Sequence, residues 1–127
     1  MKLVTLRAVA ISCVAVLAAR AWLRIAPGQV IRWASSAPAT AADRPAAIDS
    51  FSCAVAAVGG RCGASCLELG VALTLVLAAM RIPARLVIGV ERSGTALGAH
   101  AWVESNGRVI LGGADASKYA PLPVAAA

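Results

Sequence analysis

Four consecutive residues, Ser65-Cys66-Leu67-Glu68, constrain this chain more than any others, because an apolar run follows them directly. Ser65 suits a helix N-cap, and Glu68, three residues on, can reach back to the cap's own N–H. A capping box in front of an apolar segment predicts a helix that starts at Cys66. The run extends over 66–81, and Leu67, Leu69, Val71, Leu73, Leu75 and Leu77 leave it almost no polar face. A helix of that kind is buried. Gly70, in its second turn, costs about 1 kcal/mol against Ala, which points to the close approach of another element. Ile82-Pro83 ends the helix.

The capped start also places chemistry. Cys66 is expected at the first helical position, where unpaired backbone N–H groups and the helix dipole favour an anion. Cysteines in such positions are the reactive ones. The chain's single histidine, His100, lies in Ala99-His100-Ala101-Trp102-Val103-Glu104. A cysteine at a helix start with a histidine on a later strand suits a nucleophile and its base. Each residue alone has a plainer reading: Cys66 as a small apolar residue of a buried helix, His100 as a satisfied core imidazole. They form a pair if the sheet packs on the helix's N-terminal end. Free N–H groups at the helix head would then supply an oxyanion hole.

Either side of this helix the elements can be read in order. An apolar run over 8–19, flanked by Arg7, Arg20 and Arg24, predicts an N-terminal helix that continues through Trp22 and Leu23 and stops before Pro27. The 12 residues of the run are too few to span a bilayer. Lys2, Arg7 and Ala19-Arg20-Ala21 also fit a signal peptide, but the periodicity runs past that cleavage point. Residues 34–46, with Pro38 and Pro45, read as a linker. A short helix is expected over 51–58, ended by Gly59-Gly60. Residues 84–90 and 99–105 read as strands, 93–98 as a glycine-containing loop, and 108–111 as the return strand of an Asn106-Gly107 hairpin. The tail from Asp115 onward is expected to be irregular. Helices followed by an antiparallel sheet make the fold class α+β. The chain divides into an apolar helical segment (1–33), a linker (34–46) and the domain proper (47–127).

A base histidine is usually oriented by a third group. A two-residue Asn106-Gly107 turn pairs Ser105 with Arg108 and, by simple counting, His100 with Gly113. Asp115 would then lie diagonal to His100 on the same face, within reach of a long side chain. Asp115 is therefore the expected orienter, with a solvated loop residue as its plainer reading. Glu104 shares the face of His100 but sits roughly 13 Å along the strand, too far for direct contact. A backbone carbonyl at Gly112 or Gly113 is the other way to hold the imidazole.

Composition narrows the function classes. The net charge is +6, but the arginines are scattered and aromatics are few, so no nucleic-acid groove is indicated. The four cysteines, Cys13, Cys53, Cys62 and Cys66, lack the spacing of a small disulfide scaffold. Reduced thiols in the cytoplasm are expected. A zinc site from Cys53, Cys62, Cys66 and His100 has no Cys-x-x-Cys knuckle behind it. Neither a cofactor nor a metal is called for.

Taken together, Cys66-Leu67-Glu68, Arg81-Ile82-Pro83-Ala84-Arg85-Leu86-Val87-Ile88-Gly89-Val90, His100-Ala101-Trp102-Val103-Glu104, Asn106-Gly107-Arg108-Val109-Ile110 and Tyr119-Ala120-Pro121-Leu122 form a recognisable series. The series resembles the transglutaminase-like leader peptidases of lasso-peptide biosynthesis. It covers about half the chain, in order and with suitable gaps. The resemblance implies a papain-like cysteine protease fold reduced to its core, which cuts a ribosomal precursor peptide between leader and core. The family's cysteine and histidine fall on Cys66 and His100. Its acid commonly stands near Gly112 or Gly113, where this chain has none. The split form of the family implies three partners: the precursor peptide, a small leader-recognition protein and an ATP-dependent cyclase. The missing acid supports a second reading, a catalytically silent scaffold of the same fold. The N-terminal apolar run alone supports a third, an exported cysteine-rich binding protein. That N-terminal helix is otherwise expected to stay on the protein as a docking or membrane-surface element.

Overall fold

The computed structural model describes residues 6–36, 44–93, 96–105, 107–112 and 120–121. Four helices precede a small antiparallel sheet: α1 (Leu6–Ile25), α2 (Pro27–Ser35), α3 (Pro45–Cys62) and α4 (Cys66–Ala79), then β1 (Arg85–Ser93), β2 (Ala96–Ser105), β3 (Arg108–Leu111) and β4 (Ala120–Pro121). The strand order is β3-β2-β1-β4. The fold is α+β, with α4 packed on the sheet and α1 and α3 packed around α4.

The helix ends follow local chemistry. α1 stops at Ile25, and Pro27 opens α2 at its first position, where a missing N–H costs nothing. α3 differs from the expected 51–58 helix at both ends. It starts at Pro45 by the same proline rule, and it runs through Gly59-Gly60 to Cys62, where Gly63 caps it in the left-handed conformation (φ 65°). Gly59 lies within α3 directly against α4, where a Cβ would collide with the Leu69 side chain. A pair of helix breakers is thus accommodated within the helix.

α4 begins at Cys66 as expected. Its tail closes in a Schellman turn, with Ile82 N–H donating to Leu77 C=O (2.8 Å) and Arg81 N–H to Ala78 C=O (3.0 Å). Arg81 takes the left-handed position usually given to glycine (φ 60°). Leu73 and Leu77 are fully buried, which stabilises the fold by about 2 kcal/mol apiece. Gly70 explains itself here: a Cβ on it would stand 2.5 Å from Leu86 Cδ1 and 3.6 Å from Val103 Cγ2. The glycine lets α4 lie directly on β1 and β2.

The core is continuous. Val16 and Ala19 of α1, Val30 and Ala34 of α2, Ile48 and Val55 of α3, Val71 and Leu73 of α4, and Leu86, Ala101 and Val103 of the sheet belong to one buried cluster. Strands β1 and β2 are longer than expected. Ser93 pairs with Ala96, so most of 93–98 is strand and not loop. The tail adds a short strand, β4, where Ala120 and Pro121 pair with Val90 and Gly89.

Candidate active site

The head of α4 is built as its sequence specifies. Ser65 Oγ accepts from Glu68 N–H (3.2 Å), and Glu68 Oε1 accepts from Ser65 N–H (2.9 Å). Both reciprocal bonds of a capping box are present. A capped helix head has four N–H groups without intrahelical partners. The box satisfies those of Ser65 and Glu68. The N–H groups of Cys66 and Leu67 remain without a partner among the described residues. Cys66 itself is solvent-exposed. A thiol beside two unused donors is the geometry that an attacking sulfur and a developing oxyanion both need.

A longer-range clamp holds this head, and sequence reasoning missed it. Arg20 of α1 donates through Nε to Glu68 Oε2 (3.2 Å) and through Nη2 to Glu68 Oε1 (3.4 Å) and to the Cys62 carbonyl (3.0 Å). One guanidinium therefore ties α1 to the end of α3 and the start of α4. The Glu68 carboxyl is held below its ordinary value, first by the Ser65 N–H and then by the hydrogen bond and charge of Arg20, with burial opposing. The only available signal was that Arg20 stood out as a charge within an apolar helix.

His100 sits on β2, paired in the ladder with Gly89 of β1. Its Nε2 lies 2.9 Å from the Gly112 carbonyl. A carbonyl can only accept, so Nε2 carries the proton and, in the neutral ring, the lone pair is on Nδ1. The imidazole is thus held by backbone at Gly112. Gly112 has φ 76°, and an added Cβ would press on Ala101 O (3.0 Å), Trp102 Cβ (3.3 Å) and His100 Nε2 (3.4 Å).

The hairpin register departs from simple counting. Ser105 pairs with Arg108 and Glu104 with Val109, as expected, but Val103 then pairs with Leu111. Ile110 is an inserted residue, a bulge that moves the ladder by one. The counting that paired His100 with Gly113 and put Asp115 diagonal to His100 therefore loses its basis; Gly113 lies outside the described residues. Asp115 itself lies outside the described residues.

Beside His100 runs a row of polar and aromatic groups. The His100 and Trp102 rings stack with centroids 6.0 Å apart. Trp102 Nε1–H donates to Glu104 Oε2 (3.0 Å), and Arg85 pairs with Glu104 Oε1 (3.2 Å). Glu104 is too distant to touch the imidazole directly, but it reaches it through the indole. The signal was the His-Ala-Trp-Val-Glu alternation, which places all three on one face.

That alternation also separates the two halves of the site. Val103 and Leu86 face α4 across Gly70, so His100, Trp102 and Glu104 belong to the opposite row. No hydrogen bond joins Cys66 to His100 among the described residues. The other cysteines, Cys13, Cys53 and Cys62, are exposed and unbridged. No group of three or more metal-ligating side chains occurs among the described residues.

A capped helix laid on a small antiparallel sheet, with further helices packed around it, defines a reduced α+β core. The sequence profile of the transglutaminase-like superfamily matches residues 8–124, and the chain belongs to that superfamily, which includes cysteine peptidases. The match takes in α1 as well as the sheet. Neither a curated protein nor a solved structure matches the chain.

Proposed function

We propose that the protein is a cysteine peptidase that removes the leader from a ribosomally made lasso-peptide precursor. The observation that carries this reading is the seat of Cys66, at the first position of a capped helix with two unused N–H donors beside it. The His-Ala-Trp-Val-Glu strand and the family membership support it. In the proposed reaction, which requires the imidazole to come within reach of the head of α4, His100 Nδ1 takes the Cys66 thiol proton and the sulfur attacks the scissile carbonyl. The N–H groups of Cys66 and Leu67 stabilise the oxyanion. Collapse of the tetrahedral adduct expels the core peptide's amine, protonated by His100, and leaves the leader as a thioester. Water, deprotonated by His100, hydrolyses the thioester and frees the leader carboxylate and the thiol. The Gly112 carbonyl holds the imidazole, and Asp115 is the one acid proposed to join it. If Asp115 completes a triad, Asp115→Asn lowers turnover by orders of magnitude and leaves precursor binding nearly unchanged.

The proposed partners are the precursor, a separate leader-recognition protein and an ATP-dependent cyclase, and the proposed location is the cytoplasm. The flanking reading frames should encode these three. Mass spectrometry of the precursor incubated with the purified chain then tests the activity. Cleavage should be slow with the chain alone and much faster once the recognition protein is added. A fully active isolated chain contradicts the division of labour.

A second reading, a silent scaffold of the same fold, draws on the opposite row assignment of His100 and Val103. Unchanged precursor processing by Cys66→Ala would favour it.

A further inference from the structure

We propose that α1 lies on the surface of an anionic lipid bilayer, with one face in the protein core and the other in the headgroup region. The helix has two apolar faces. Ala8, Ser12, Ala15, Val16 and Ala19 form the stripe buried in the fold. The other side shows Leu6 (86% exposed), Val14 (69%), Leu17 (60%) and Ile25 (82%) to solvent, with Ile11 at its margin. At 100° per residue these positions, with Ala10, Ala18 and Ala21, fill an arc of about 140° along the whole helix. At its N-terminal end the arc continues into an open apolar groove of about 460 Å³, which Leu75, Val76 and Ala79 of α4 complete.

Charge selects the occupant. Lys2, Arg7, Arg24 and Arg32 all precede the first acidic residue of the chain, Asp43, and only Arg20 among the early arginines is taken up by Glu68. Arg7 and Arg24 are exposed near the two ends of the arc. An apolar helix face with arginines at both ends fits an anionic membrane surface. A protein partner would meet a focal apolar anchor site, whereas this arc is even and about 30 Å long, the length of the helix.

By length and composition α1 could also cross a membrane. Its attachments oppose that. Arg20 is bonded to Glu68 and to the Cys62 carbonyl, and the buried stripe is shared with α3 and α4. A spanning α1 would break these contacts and open the core, so the helix rests on the bilayer and does not span it. The groove lies toward the tail of α4, and Cys66 is at its head, roughly 14–20 Å away along the axis.

Vesicle flotation of the full chain tests this. With vesicles of phosphatidylcholine and phosphatidylglycerol (3:1 is suitable) the protein should float at low salt, and it should not float with phosphatidylcholine alone. High salt should release it. Val14→Glu and Leu17→Glu change exposed residues, so circular dichroism and melting should be retained, and partition should fall at least tenfold. Arg7→Gln and Arg24→Gln should each weaken it by about fivefold. A folded wild type that stays unbound to the anionic vesicles overturns the proposal. So does a Val14→Glu variant that floats equally well, or light scattering that shows a wild-type dimer which Val14→Glu dissociates. Retention in the vesicles after high-salt washing would mean a spanning helix and would equally overturn it. None of these outcomes depends on peptidase activity.

Discussion

The cysteine and histidine sides of the proposed site are held by different means. Cys66 is placed by residues next to it in sequence, through the Ser65–Glu68 capping box, with Arg20 as a single long-range clamp. His100 is placed by residues far from it: a hairpin, a bulge at Ile110, and the carbonyl of a left-handed Gly112. One side is encoded locally and the other depends on correct strand register. A local signal survives most changes elsewhere, whereas a register signal can be lost through one inserted residue.

The largest effect expected is on the local side. Cys66→Ala should abolish leader removal with the fold intact, while Cys13→Ala, Cys53→Ala and Cys62→Ala keep it, as read by mass spectrometry of the precursor. Preferential labelling of Cys62 by iodoacetamide in the folded protein would break the comparison at its root. On the register side, Gly112→Ala must accept a left-handed backbone and crowd both Ala101 O and the imidazole. It should cost about 1–2 kcal/mol in thermal or urea unfolding and lower the turnover rate more than it raises KM. An equal loss of both sides' function would mean that the two are not separately held.

Smaller effects sharpen the account of the helix head. Ser65→Ala removes one bond of the capping box and should cost about 1 kcal/mol, with Ser65→Asp largely neutral. The Glu68 carboxyl is held below its ordinary value in the folded state, so it contributes stability above the ordinary carboxylate range. That contribution is lost as pH falls through the folded-state value. Glu68→Gln should therefore lower stability near neutrality, modestly because the pair is partly exposed and screened, and should lose its effect in acid, which flattens the acid side of the stability–pH curve.

What could be read from the sequence divides along the same line. The α4 start, the stop of α1 before Pro27 and the Ser105–Arg108 pairing were legible because each rests on residues adjacent in the chain. The length of α3 was not, because Gly59-Gly60 reads locally as a stop, while the close packing of Leu69 on Gly59 comes from an element further along the chain. The bulge at Ile110 was not, since it leaves no composition signal, and it removed the register argument for Asp115. Arg20 could be seen as a charge in an apolar helix, but its partners, Glu68 and Cys62, lie 48 and 42 residues away. The Trp102–Glu104 bond was within reach, since the two stand on one strand face, and it links Glu104 to His100 although the two are too far apart for direct contact.

The central claim is that Cys66 and His100 act as one chemical unit despite their separate supports. Its most direct test is the rate of iodoacetamide alkylation at each cysteine, followed by peptide mapping, in the wild type and in His100→Ala at neutral pH. The account predicts that Cys66 reacts fastest of the four and that His100→Ala slows it at least tenfold, with Cys13, Cys53 and Cys62 unchanged. An alkylation rate at Cys66 that is indifferent to His100 would contradict it.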